Sequence, residues 1–163
     1  MAEALFQRRL DQRGLPAVVT SAGLLDGGAP ATRPAVEVMA EVGLDISRHR
    51  SRQVTRDQVE RADLVVTMAR QHLIELTLMM PDAWPRMFQV RDLLRRAETV
   101  GPRPPGQPMG AWLAAVGDGR TRSGLLTANL SDDVDDPIGQ PVAAYERTRQ
   151  ELDELFSGLA RLL

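Results

Sequence analysis

Apolar positions along this chain switch repeatedly between a helical and an extended pattern. The opening stretch, Met1-Ala2-Glu3-Ala4-Leu5-Phe6-Gln7-Arg8-Arg9-Leu10, has a helical period and predicts a helix over residues 2–13 that Gly14 stops. Residues 17–21 (Ala-Val-Val-Thr-Ser) read as a short strand closed by Ala22-Gly23, and 24–32 as a Gly-rich loop. A helix is predicted over 34–42, with proline near its start and Gly43 after its end. Residues 55–61 form a short helix, with Thr55 as N-cap and Gln58 at the capping-box spacing. Residues 62–68 (Ala-Asp-Leu-Val-Val-Thr-Met) are a near-continuous apolar run, the mark of a buried parallel strand. There follow a helix over 70–80, a strand over 87–90, a helix over 91–100, a proline-rich loop over 101–108 and a short helix over 110–116. Residues 120–136 are polar and irregular. A long amphipathic helix over 141–163 carries Tyr145, Leu152, Leu155, Phe156, Leu159 and Leu162 on its apolar side.

Strand–helix alternation of this kind predicts the α/β class, a parallel sheet with helices on both faces. Ligands of such sheets bind outside the carboxyl ends of the strands. The long stretch over 101–136 is therefore a candidate lid or site-shaping excursion. The opening helix stands out because nothing precedes it to satisfy its leading N–H groups. A segment that belongs before Met1 is the expectation from that opening.

Composition narrows the chemistry. The 163 residues fit one domain with a core of useful size. A hydrophobic share of 43%, a charged share of 26% and a net charge of −2 give no reason to expect nucleic acid or membrane as partner. All 20 basic residues are arginine, which reads as coding bias. No apolar run reaches the ~18 residues of a membrane span and no signal peptide is visible, so the cytoplasm is the expected compartment. The absence of cysteine removes disulfides, thiolate metal sites and cysteine nucleophiles from the chain as written. Two histidines without clustered carboxylates make no metal site, and no cofactor is expected.

Several segments together resemble the low-molecular-weight protein-tyrosine phosphatases of bacterial type, entered just after their active-site loop. That family carries a strand, then Cys-x5-Arg-Ser-Pro, then a helix beginning Met-Ala-Glu-Ala, here Met1-Ala2-Glu3-Ala4. Its next strand ends Ser-Ala-Gly, matched by Ser21-Ala22-Gly23. The stretches Pro34-Ala35-Val36-Glu37-Val38-Met39 and Gly43-Leu44-Asp45-Ile46-Ser47-Arg48-His49-Arg50-Ser51-Arg52-Gln53 resemble its following helix and turn. Residues 62–68 resemble its Ala-Asp-Leu-x-x-x-Met, and Asp136-Pro137 its Asp-Pro pair before the last helix. The order and spacing cover nearly the whole chain, with only a loose match over 101–130. Three departures stand out. The nucleophile loop is absent, Met68 is followed by Ala69 where the family has Asp, and neither 24–32 nor the Ile138-Gly139 pair supplies the usual aromatic rim. A phosphotyrosine ring would lose its stacking partners.

The resemblance implies a two-step phosphate monoester hydrolysis, in which a thiolate attacks phosphorus and a carboxylic acid protonates the leaving oxygen. It implies Asp136 as general acid, with Pro137 fixing its backbone. A plain surface turn is the competing reading of Asp-Pro, and Asp135 is the main rival among the neighbours Asp132, Asp133 and Asp135. Ser21 and His49 are implied as supports that hold the phosphate loop open. His72 reads as surface. The arginine-rich run over 48–56 could serve an anion, though it reads more simply as a solvated turn, and it lacks the aromatic interleaving of a nucleic-acid site.

The expectation is a single phosphatase-like domain over 1–163 that lacks its first central strand and phosphate loop, and is inactive as written. An in-frame upstream segment of roughly 15–25 residues, an apolar strand plus a Cys-x5-Arg loop, would complete it. Its substrates would be phosphorylated proteins or small aryl phosphates. The alternatives are a non-catalytic pseudo-phosphatase that regulates or binds a partner, and an arsenate reductase, which needs further cysteines that the chain lacks.

Overall fold

Helix α1 (Ala2–Gln12) forms where the opening pattern places it, burying Leu5, Phe6 and Leu10 on one face. It ends at Gly14 (φ +66°), where Gly14 and Leu15 donate backbone N–H bonds to Asp11 O and Leu10 O. That paired closure needs a left-handed residue, which glycine adopts without a Cβ clash. The computed structural model describes residues 1–127 and 132–163. These fall into two compact units, one of Met1–Val54 with Val134–Arg161 and one of Thr55–Asp133 with Leu162–Leu163.

The first unit is built on helices. Beside α1 it holds α2 (Arg33–Ala40), with Val38 and Met39 fully buried, and most of the long last helix α8 (Val142–Leu162). Phe6 of α1 stacks on Phe156 of α8 with ring centroids 4.6 Å apart. Asp153 accepts bonds from Arg8 (3.1 Å) and from Arg9 through Nε (2.9 Å) and Nη2 (2.5 Å). Partial burial pushes the Asp153 carboxyl up, but these two arginines outweigh it and hold it below its ordinary range.

The second unit carries the sheet. Strands β1 (Val65–Thr67) and β2 (Met87–Gln89) pair in parallel, Val65 with Met87, Val66 with Phe88 and Thr67 with Gln89. Helix α3 (Arg56–Arg61) has the capping box read from the sequence: Thr55 Oγ1 accepts the Gln58 N–H and Gln58 Oε1 accepts the Thr55 N–H. Helices α4 (Arg70–Met79) and α5 (Val90–Val100) follow the two strands and pack on them. In α5, Val90, Leu93 and Ala97 face the core at helical spacing while Arg95 stays exposed. The fold is of the α/β class, a parallel strand pair flanked by helices.

Three expectations change. The run over 62–68 forms a ladder only over Val65–Thr67, because its partner is confined between a 3-10 turn (Pro81–Arg86) and the start of α5. Residues 17–21 are not a strand: they lie in no ladder, and Val18 is 89% exposed. Extended backbone becomes a strand only when a neighbouring chain accepts its polar groups. The candidate lid over 101–136 contributes a helix to the core. Helix α6 (Met109–Val116) buries Trp112, Leu113 and Val116 completely, and Trp112 Nε1 donates to Gly101 O at 3.1 Å. Just beyond it the Arg120 guanidinium lies between the rings of Trp84 (4.0 Å) and Phe88 (3.8 Å) and donates to Met87 O at 2.7 Å. Burial lowers Arg120 to about 10, so it remains a cation at neutral pH. A short helix α7 (Gly124–Thr127) follows, and the part of the polar segment over 128–131 lies outside the described residues.

Candidate active site

Ser21 is held by the first turn of α1. Glu3 Oε2 accepts both the Ser21 backbone N–H (2.7 Å) and its hydroxyl (2.6 Å). One turn further on, Gln7 Oε1 accepts the Val19 N–H (2.8 Å) and Gln7 Nε2 donates to Ala17 O (3.0 Å). The match is geometric. Helix residues four apart are spaced by ~6 Å, and alternate residues of an extended chain by ~6.6 Å. Glu3 and Gln7 thus follow the repeat of Ala17, Val19 and Ser21 and serve where a neighbouring strand would. Sequence reasoning missed both; the polar i, i+4 pair on the helix that precedes the segment is the signal that could have found them. Because the Ser21 hydroxyl donates to Glu3, its oxygen lone pairs stay available to accept from another group.

Two loops meet beside Ser21. Gly23 donates to Arg52 O (2.9 Å) and Val54 to Gly23 O (2.8 Å). Gly28 donates to Ser51 O (2.7 Å), Ser51 to Ala29 O (2.8 Å), and the Ser51 hydroxyl oxygen accepts the Ala29 N–H (3.0 Å). The approach is close at Gly27, where a Cβ would sit 2.9 Å from both Arg52 Cα and Ser51 O. His49 is half-buried in this pair of loops. Its ring makes no hydrogen bond among the described residues, and none joins Ser21, His49 and Asp136 to each other.

The four aspartates before α8 are sorted by their partners. Asp132 makes a two-pronged contact with Arg95 (2.9 and 3.0 Å). The Arg95 hydrogen bond holds its carboxyl below the ordinary range against a smaller opposing effect of burial. Asp133 Oδ1 accepts the backbone N–H of Arg70 (2.7 Å) and the side-chain amide of the buried Gln89 (2.5 Å). Ala69, the N-cap of α4, has no side-chain oxygen to offer. Asp133 supplies that carboxylate from 63 residues away in sequence. Asp135 is exposed and engages Thr148 only through its carbonyl (3.3 Å). Asp136 is exposed too, but oriented: its Oδ1 accepts the Ile138 N–H at 3.0 Å, and Pro137 O accepts the Gln140 N–H at 2.9 Å. One carboxylate oxygen is fixed by an Asx turn and the other is open. His72, on α4, is exposed as expected. Among the described residues no group of three or more His, Asp or Glu side chains could hold a metal ion, and no helix is long and apolar enough to cross a membrane.

The family model for low molecular weight phosphotyrosine protein phosphatase matches residues 1–101. The chain belongs to that family. Among curated relatives, a probable low molecular weight protein-tyrosine-phosphatase EpsP of Ralstonia solanacearum is 37% identical over 93 residues, 57% of this chain and 62% of that protein. A second EpsP, from Ralstonia nicotianae, is 46% identical over 68 residues and is covered over 45% of its length. The chain therefore spans less than two thirds of these two relatives. The protein-arginine-phosphatase of Bacillus subtilis aligns with the whole chain at 27% identity, over 87% of its own length. Among solved structures, a YwlE mutant from Bacillus subtilis superposes with a TM-score of 0.72 at 27% identity, over 98% of this chain and 86% of that one. A low molecular weight protein tyrosine phosphatase from T. tengcongensis gives 0.72 at 29% identity, over 99% and 88%. The phosphatase family match contains Ser21 and His49 and stops before Asp136.

Proposed function

We propose that this chain provides the proton-donating and loop-supporting part of a phosphate monoester hydrolase of the low molecular weight phosphatase family. Asp136 is the general acid, and Ser21 and His49 support the phosphate-binding loop. The nucleophile is not among the 163 residues, which hold no cysteine, so the chain as written turns over no ester through a thiolate. In the complete reaction a thiolate attacks phosphorus as the P–O bond to the leaving group breaks. Asp136 gives its proton to that oxygen, then takes one from the water that cleaves the phosphocysteine and releases phosphate.

The observation that carries this reading is the division among the four aspartates. Asp132 and Asp133 are committed to Arg95, Arg70 and Gln89. Asp136 alone combines a carboxylate fixed by a backbone N–H with solvent access. A phosphorylated protein is the substrate class. The exposed rim side chains Leu25 and Ile138 are aliphatic, so the leaving group of a phosphate ester would be held without ring stacking.

The test is a fusion. A segment with an apolar strand and Cys-x5-Arg-Ser joined to Met1 is expected to cleave p-nitrophenyl phosphate, and its Cys→Ser variant is expected to be inert. The unfused chain is expected to show no turnover. Turnover by the unfused chain, or an inert but folded fusion, would overturn the reading. The latter result would favour a non-catalytic role.

A further inference from the structure

We infer that Arg50 and Arg52 form a docking strip for an extended acidic segment of the polypeptide that this protein acts on. The inference deepens the phosphatase reading and rests on it for what the polypeptide is. The strip arises from the way residues 50–53 are tied to the facing loop. Ser51 turns its hydroxyl to Ala29, and Gln53 donates its side-chain amide to Leu24 O (3.4 Å). Successive side chains of an extended segment point to opposite sides. Arg50 and Arg52 therefore lie on the side opposite to Ser51 and Gln53, and both are exposed.

Neither has a carboxylate partner among the described residues. Arg50 Nη1 donates only to the carbonyls of Ser47 (3.3 Å) and His49 (2.8 Å), and Arg52 makes no side-chain bond among the described residues. Among the other exposed arginines, Arg33, Arg56, Arg61 and Arg95 each face an aspartate or glutamate within 4 Å, while Arg13, Arg122, Arg147 and Arg161 stand apart from the strip and from each other in sequence without an ion pair among the described residues. The charges nearest the strip are few. Asp45 accepts the Ser47 N–H, and Asp26 is in the facing loop. Neither Arg50 nor Arg52 has a carboxylate to give up before meeting a partner.

The backbone of the strip is tied to the facing loop and adjoins the candidate site. Arg52 O accepts the N–H of Gly23, two residues from Ser21, and Gly27 admits no side chain against the Arg52 backbone. A substrate anchored near Ser21 would continue past this edge. With only aliphatic side chains exposed on the rim, charge is the grip available there. Residues two apart in an extended segment repeat every ~6.6 Å along the backbone, so Arg50 and Arg52 share the repeat of carboxylates two residues apart in an extended peptide.

Binding to the 163-residue chain tests this without any nucleophile. A fluorescein-labelled peptide with alternating glutamates is compared by anisotropy with a neutral peptide of equal length, at ~50 mM salt. The acidic peptide is expected to bind roughly 3–20-fold tighter, since exposed ion pairs are individually weak. Arg50→Ala with Arg52→Ala should bring the two peptides within about twofold, Arg50→Lys with Arg52→Lys should restore most of the difference, and ~0.5 M salt should abolish it. Circular dichroism of each variant should be unchanged. Equal binding of both peptides by the native chain, or a preference that survives the double alanine change, would overturn the strip. So would a single-stranded oligonucleotide that binds as tightly as the acidic peptide. A strip that binds as expected beside a fusion that does not hydrolyse would sink the catalytic reading and leave the surface standing.

Discussion

Asp132 and Asp133 differ from Asp135 and Asp136 in what their carboxylates are given to do. The first pair is engaged: two bonds from Arg95 and one each from Arg70 and Gln89 tie those carboxylates to α5, to the start of α4 and to the last residue of β2. The second pair faces water, and within it only Asp136 is aimed, by the Ile138 N–H. Five residues of sequence thus hold anchors, a bystander and an oriented acid, all of one residue type. The environment separates them: a general acid, the role proposed for Asp136, needs a defined direction and an open oxygen, and a structural carboxylate is held by its partners.

The largest effect expected on stability comes from the anchors. Asp133→Ala leaves the Gln89 amide, 3% exposed, and the first N–H of α4 without their acceptor. Stranded buried donors cost about 1–3 kcal/mol and a lost cap about 1 kcal/mol. A urea titration should therefore show a loss of about 3 kcal/mol, partly recovered in Asp133→Asn, whose amide oxygen still accepts. A loss below about 0.5 kcal/mol would remove Asp133 from the anchors.

Asp132→Asn should cost less, about 1 kcal/mol at neutral pH, because Arg95 is exposed and keeps Asp92 as partner. The pH dependence has a definite sign. The folded-state carboxyl of Asp132 is held below its unfolded value by the Arg95 hydrogen bond. Its contribution is present above about pH 4 and is lost as pH falls through the lowered folded value. The gap between native and Asp132→Asn stability should close in acid. A gap that widens would contradict the ion pair.

Asp135→Asn and Asp136→Asn should each change stability by less than about 0.5 kcal/mol, as exposed substitutions do. A cost as large as that of Asp133→Ala would place either one among the anchors and blur the division.

Much of the helical frame is legible in the amino-acid sequence alone. Thr55 with Gln58, Gly14 and the apolar spacing of α5 and α8 are local signals, and local bonds satisfy them. The two expected strands fare differently for a non-local reason. Residues 62–68 find β2, and residues 17–21 find only the side chains of Glu3 and Gln7. The roles of Asp132 and Asp133 are hidden because their partners lie 37, 44 and 63 residues away. Arg120 is equally invisible, as nothing in its own segment announces a position between Trp84 and Phe88. Ser21 and Asp136 emerge by resemblance to a family. The contacts that distinguish each from its neighbours, Glu3 for one and the Asx turn for the other, come from the fold.

The central claim, that Asp136 is the general acid, is tested most directly by leaving-group dependence in the fusion that carries a nucleophile loop. An alkyl or phosphotyrosyl ester needs its leaving oxygen protonated, and a nitrophenyl ester needs little help. Asp136→Asn is expected to slow the poor leaving group by about 10²–10⁴-fold and the nitrophenyl ester far less, with Asp135→Asn mild on both. Equal losses for the two substitutions on both esters, or a loss confined to Asp135→Asn, would reduce the Asp136-Pro137 pair to a surface turn.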